Sequence, residues 1–170
     1  GPAPTTTYVL LSGGIGGAKL ALGLDRILPR GALTVIANTG DDFRHLGLAI
    51  SPDIDTLMYT LGDAVNPDTG WGCRDESWQF MTALERLGGD TWFRLGDRDL
   101  ATHVERTRRL AAGATLSQVT QELCSIFRVG ASIVPMSDSP VATQVVTAAG
   151  VLPFQEYFVR RQQADDVRSV

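Results

Sequence analysis

Four glycines fall within five residues in Ser12-Gly-Gly-Ile-Gly-Gly17, followed by Ala18 and Lys19. Glycines between a strand and a helix let the backbone approach a ligand closely, and the helix N-terminus then offers free N–H donors to a phosphate. Gly13, Gly14, Gly16, Gly17 and Lys19 are therefore candidate phosphate-binding residues. The dinucleotide fingerprint G-x-G-x-x-G is broken, because Lys19 occupies its last place after Gly14 and Gly16. A P-loop is excluded as well, since no Ser or Thr follows the lysine. A tight strand–helix turn without a ligand is the alternative. Carboxylates form the second group: Asp41 and Asp42, then Asp53 and Asp55 in Ser51-Pro-Asp-Ile-Asp-Thr56. In an extended segment Asp53 and Asp55 would point the same way. Carboxylates converging on one point suit Mg²⁺, which takes a few protein oxygens plus water and substrate phosphate. The alternative makes them turn residues and helix caps. The third group is Gly96-Asp-Arg-Asp99 with His103. Asp97 or Asp99 could cap a helix there, and Arg94, Arg98 and His103 could meet an anionic or heteroaromatic ligand. Trp71, Trp78 and Trp92 are the rings able to stack on a flat ligand, although tryptophans commonly serve the core.

The elements that must position these groups follow from pattern. Tyr8–Leu11 reads as a buried strand, Ala18–Leu28 as a helix stopped by Pro29-Arg-Gly31, and Leu33–Ala37 as a second strand. Strand, glycine turn, helix, strand is a βαβ unit, so the two strands are expected to be parallel. Asp41 and Asp42 then follow a strand at its C-terminal end, where ligands bind in open α/β sheets. Residues 38–55 read as loop, Thr56–Leu61 as a short helix, Asp75–Leu87 and Ala101–Ala112 as helices, and Thr91–Leu95 as a strand. Leu116–Phe127 reads as a helix with Ser117 near its cap, and Ser132–Val134 as a third short strand. Val141–Thr147 and Val151–Val159 read as an antiparallel hairpin turning at Gly150. The expected fold is α/β: a Rossmann-like parallel sheet with flanking helices and a C-terminal antiparallel hairpin. Residues 1–7 are expected to be a disordered end in which Gly1-Pro2 looks like a tag scar, 8–161 the domain, and 162–170 a loose end.

With 170 residues, 44% hydrophobic and 20% charged, the chain has an ordinary globular composition. The net charge of −4 argues against nucleic-acid binding, which needs a basic stripe. No apolar run approaches the roughly 18 residues of a membrane helix, and the N-terminus lacks a signal-peptide pattern. Cys73 and Cys124 share no metal-like spacing, so a reduced, cytoplasmic protein is expected. Of the 15 basic residues Lys19 is the single lysine.

The order of segments is more specific than any one of them. It runs Ser12-Gly-Gly-Ile-Gly-Gly-Ala-Lys-Leu20, Asn38-Thr-Gly-Asp-Asp42, Ser51-Pro-Asp-Ile-Asp-Thr56, Asn66-Pro-Asp-Thr-Gly-Trp-Gly72, Leu95-Gly-Asp-Arg-Asp-Leu-Ala-Thr-His103, Pro135-Met-Ser-Asp138 and Phe154-Gln-Glu-Tyr-Phe-Val-Arg160. In this order the chain resembles the CofD family, the 2-phospho-L-lactate transferases of coenzyme F-420 biosynthesis, over about residues 8 to 161. The resemblance implies transfer of a phospho-acid, of the 2-phospho-L-lactate, phosphoenolpyruvate or phosphoglycerate type. The donor would be a guanylyl-diphospho acid and the acceptor the deazaflavin Fo; GMP would leave, and Mg²⁺ would be the cofactor. It implies that Asp55 and Arg94 contact Fo, that Asp41 lies near the metal with Asp55 as a second ligand, and that Asp41 or Asp55 helps deprotonate the attacking hydroxyl. Gly13, Gly14, Gly16 and Gly17 would face the phosphates or the ring, and a homodimer is possible. Family chains run on well beyond this one, so the resemblance also implies a fragment, a truncated chain or one piece of a split protein, with an exposed sheet edge and apolar face. A YvcK-like regulator that binds nucleotide sugars without catalysis is the alternative. The acyl group of the donor is left open.

Overall fold

The computed structural model describes residues 6–164 and 167–170. Most of the end expected to be disordered, residues 1–5, lies outside them. The chain begins as its pattern predicts. Strand β1 (Tyr8–Ser12) leads through the glycine turn into helix α1 (Gly14–Ile27), and strand β2 (Leu33–Ala37) returns parallel to β1 with Leu10 opposite Val35. Helix α1 starts four residues earlier than expected, so Gly14, Gly16 and Gly17 form its first turn. Strand β5 (Ser132–Pro135) adds parallel to β2 and gives the order β1-β2-β5. The fold is α/β, with a parallel sheet, flanking helices and a C-terminal antiparallel hairpin.

The sheet is covered on one face. Leu33, Val35, Ala37 and Ile133 point into a core filled by α1, by helix α2 (Pro52–Leu61) and by helix α5 (Leu116–Ile126). Every second residue points the other way, as the pleat requires, and there Val9 and Leu11 are 62% and 75% exposed. The expected bare apolar face is present.

Residues 38–55 depart from the loop expectation twice. Strands β3 (Phe43–His45) and β4 (Leu48–Ile50) form a hairpin joined by Leu46-Gly47, both at positive φ, the geometry a two-residue turn between twisted strands demands. Helix α2 then begins at Pro52, whose fixed φ suits a first helical position. Asp53 and Asp55 are therefore helical rather than extended, and two residues along a helix put them about 200° apart. A second cluster packs Phe43, Ile50, Met81 and Leu95 with Trp78, Trp92 and Phe93. It holds the hairpin against helix α3 (Gln79–Arg86). Thr91–Leu95 is loop, not strand: it pairs with no strand among the described residues, and Leu95 is drawn into this cluster instead.

Two helix starts exchange caps. Asp97, the first residue of helix α4 (Asp97–Ala111), accepts from Gln79 N–H (3.1 Å) and Phe80 N–H (3.0 Å) and so caps α3. Glu76, just before α3, accepts from the N–H groups of Arg98 and Asp99 and caps α4. Neither aspartate side chain caps its own helix, although the sequence suggested it. Helix α3 starts four residues later than expected. Thr115, not Ser117, caps α5, in a reciprocal capping box with Gln118. Strands β6 (Gln144–Thr147) and β7 (Gly150–Pro153) make the expected hairpin, shorter than predicted, and a π-type turn occupies Glu156–Arg160. The end expected to be loose supplies strand β8 (Val167–Ser169), whose backbone pairs with the free side of β6.

Candidate functional site

One cleft of about 740 Å³ opens where the glycine turn, the start of α2, the start of α4 and the π-type turn meet. That volume lies inside the roughly 300–1,000 Å³ of small-molecule sites. Its walls are aromatic: Trp71, Trp92, Phe93, Phe154 and Phe158. Phe154 and Phe158 stack with centroids 5.5 Å apart. Its floor is acidic, with Asp41, Asp53, Asp55 and Asp99 beside His103. Gly14 and Arg94 also line it. Arg94 is an exposed side chain whose guanidinium lies 4.5 Å from the Trp78 ring centroid. Gly13, Gly16, Gly17 and Lys19 are not among the lining residues, and Lys19 is exposed.

Structure at the glycine turn explains that division. Gly14 has φ +64 and turns its N–H onto Asp53 Oδ1 at 2.9 Å. The anion at the start of α1 is thus the chain's own Asp53, whose other oxygen accepts from Asn38 Nδ2 at 2.8 Å. Gly17 packs against the end of β1: a Cβ there would sit 2.2 Å from Ser12 Oγ and 3.2 Å from Ser12 Cβ, so the hydroxyl would have to move. Burial and the neighbouring charge of Asp53 raise the Asp41 carboxyl above its ordinary value, against a lowering contact from Asn38. Asp42, turned away from the cleft, accepts from Ser51 Oγ at 2.8 Å, and burial pushes it up to about 7.

Asp55 faces the opposite side of α2 and is buried. Its Oδ1 accepts from Arg106 Nη2, and its Oδ2 has no hydrogen-bond partner among the described residues. Arg106 is 1% exposed and also donates from Nη1 to the Ala49 carbonyl at 3.2 Å. His103 is buried beside it. Its Nδ1 lies 3.1 Å from Arg106 Nη1 and 3.6 Å from Asp55 Oδ2, and its Nε2 lies 3.2 Å from Asp99 Oδ2. Tyr59 Oη donates to Asp99 Oδ1 at 2.7 Å. Burial raises Asp55, with Arg106 and His103 pulling the other way. Asp99 is lowered in spite of its burial, held down by His103 and Tyr59.

Asp55, Asp99 and His103 bring one ligand atom each within 4.8 Å, a possible metal-binding triad. Burial and then the charge of Asp53 bear on Asp41, while Asp55 belongs to the Arg106 network, so the two candidate carboxylates work in different electrostatic surroundings. Arg106 was missed by sequence reasoning. The available signal was the spacing Asp99, His103, Arg106, which lines one face of a helix at i, i+4 and i+7. Cys73 and Cys124 are buried free thiols, both pushed up to about 12 by burial, consistent with inert core residues.

The family model of the 2-phospho-L-lactate transferase CofD matches residues 8–170. The chain belongs to the CofD family. A phosphoenolpyruvate transferase of Streptomyces avermitilis is 48% identical over 157 residues, 89% of this chain and 49% of its own length. A 2-phospho-L-lactate transferase of Methanospirillum hungatei is 45% identical, over 94% of this chain and 54% of its own length. The chain thus spans about half the length of these curated relatives. A crystal structure of a Bacillus halodurans protein superposes on 96% of this chain and 50% of its own, with TM-score 0.55 and 13% identity, a likeness of fold. Among the described residues, no helix of this CofD-family chain is long and apolar enough to cross a membrane.

Proposed function

We propose that this chain carries the acceptor side of a phospho-acid transferase site of coenzyme F-420 biosynthesis, with the deazaflavin Fo seated in the aromatic cleft. The observation that carries this reading is one cleft whose walls are flat rings and whose floor is carboxylates. A planar acceptor stacks on Trp71, Trp92 or Phe154, and Arg94 at the rim meets its polar edge. The chain terminating in the attacking hydroxyl points toward the acidic floor. The donor is a guanylyl-diphospho acid. The hydroxyl oxygen forms a bond to the phosphorus next to the acid, the bond from that phosphorus to the bridging oxygen breaks, and GMP leaves with that oxygen. The hydroxyl proton passes to a carboxylate of the floor, Asp55 by its free Oδ2.

Mg²⁺ fits one side of this floor better than the other. Asp41 and Asp53 form an all-oxygen pair whose charges repel, the situation a hard cation relieves. The Asp55, Asp99 and His103 triad includes a nitrogen donor and already holds the Arg106 guanidinium against two of its members, so it suits Mg²⁺ poorly. Asp41, with Asp53 behind it, would hold the ion. When bound, it would neutralise charge on the transferring phosphoryl group.

The test is a titration of Fo, followed by its fluorescence, against this chain with Mg²⁺ present. Saturable binding that weakens by about tenfold in Trp71→Ala and in Asp55→Ala supports the reading. Absence of binding to the chain, and to a full-length protein that contains it, refutes it. Transfer itself is assayed on that full-length protein by release of GMP.

A further inference from the structure

We infer that Arg106, which lines no part of the cleft, is the positioning residue of its floor: it pins Asp55 with one oxygen free and locks His103 in the Nε2–H tautomer. The inference starts from an asymmetry of chemistry. A guanidinium has only donors, and it is always charged. Every group within hydrogen-bond reach of its two terminal nitrogens must therefore accept. Those groups are Asp55 Oδ1, the Ala49 carbonyl and His103 Nδ1.

Two consequences follow. Because Nδ1 of His103 faces a donor, it carries a lone pair, and the proton of the neutral ring sits on Nε2. That nitrogen lies 3.2 Å from Asp99 Oδ2 without completing a hydrogen bond to it, while Asp99 Oδ1 is taken by Tyr59. Asp55 in turn is fixed through Oδ1, and its Oδ2 is left as a buried oxygen without a partner at the cleft wall. Buried polar atoms without partners are uncommon; Arg106 Nε and His103 Nε2 are also without one among the described residues, and Oδ2 is the acceptor among the three. Here Oδ2 is the acceptor that a ligand hydroxyl would complete. The Ala49 carbonyl anchors the arrangement to β4, so the hairpin, α2 and α4 hold the guanidinium from three directions. Its burial at 1% exposure leaves no solvent to substitute for any of them.

The ligand half of this inference rests on the proposed acceptor site; the tautomer half does not. The chain has two histidines, so long-range ¹⁵N correlation spectra of the imidazoles at neutral pH give at most two patterns, assigned with His45→Gln. The wild-type chain is expected to show His103 with a bare Nδ1 and a protonated Nε2. Arg106→Lys, which still donates, should keep that pattern. Arg106→Met should lose it, giving mixed tautomers. An Nδ1–H tautomer in the wild type overturns the inference, as does an unchanged pattern in folded Arg106→Met. If Arg106→Met does not fold, the wild type and Arg106→Lys still decide. For Fo affinity, Arg106→Lys should weaken binding about tenfold, and adding Asp55→Ala to it should cost little more, since both act through the same oxygen. Full additivity of the two overturns the positioning role. Failure of Fo to bind at all refutes the acceptor site, and the tautomer spectra then stand as the test of Arg106.

Discussion

Asp53 and Asp55 sit two residues apart on the first turn of α2, yet they face two different worlds. On the glycine-turn side, Asp53 is held by neutral donors, the Gly14 N–H and the Asn38 amide, and it pushes Asp41 upward. Towards α4, Asp55 is held by a buried cation and abuts His103. The first side carries surplus negative charge next to open space. On the second, Arg106 compensates the charge of Asp55, and one Asp55 oxygen is left without a partner among the described residues. The same residue type thus offers a cation site on one flank and a proton acceptor on the other, and the helical period separates them.

The largest expected effect breaks the compensated side. Arg106→Met leaves Asp55 buried without its cation and should destabilise the chain by about 3–5 kcal/mol, read by denaturant melts. The double variant Arg106→Met/Asp55→Leu removes both charges and should recover most of that loss. If it recovers none, the two sides do not differ in the way described.

A smaller effect tests the uncompensated side. Asp53→Ala removes the acceptor for Gly14 N–H and Asn38, and should cost about 1–3 kcal/mol. It should also relieve Asp41, whose carboxyl then titrates lower, observable by ¹³C NMR of the side chain. An Asp41 titration that stays where it was would remove the proposed repulsion.

Asp42 provides the pH-dependent case. Its carboxyl is raised in the folded chain to about 7 from 3.8, chiefly by burial. The folded state therefore keeps its proton where the unfolded state has lost it. The resulting stabilisation is fully present below about pH 4 and is lost as pH rises toward about 7. Asp42→Asn should flatten the dependence of Tm on pH in that window and raise stability at pH 8 by about 1–2 kcal/mol. The smallest expected effect is a control far from both sides: Thr115→Ala removes the α5 cap and should cost about 1 kcal/mol without altering ligand binding.

Local pattern made much of the frame legible. The strand, glycine turn, helix and strand at the N-terminus are written in residues adjacent in sequence, and so is the hairpin that closes at Gly150. The β3–β4 hairpin was hidden because its strands are three residues each and lie among charges, too short to show alternation. The site was legible as a set of residue types: Asp41, Asp55, Arg94 and Gly14 do line one cleft. Their electrostatics were not. Whether Asp53 and Asp55 converge or diverge depends on α2 starting at Pro52 rather than at Thr56, and pattern placed that start four residues late.

What the sequence determined by itself was the βαβ start, the order of motifs that identifies the CofD family, and the residue types able to bind phosphate, metal or a flat ring. These are properties of neighbours along the chain, where periodicity and backbone chemistry act directly. Only the tertiary structure decided that Asp53, not a ligand, accepts from Gly14, and that Arg106 reaches 51 residues back to Asp55. It also decided that Asp97 and Glu76 cap each other's helices. The physical reason is that a charge or a donor takes its role from what desolvates and faces it, and those partners come from segments that meet only when the chain is folded.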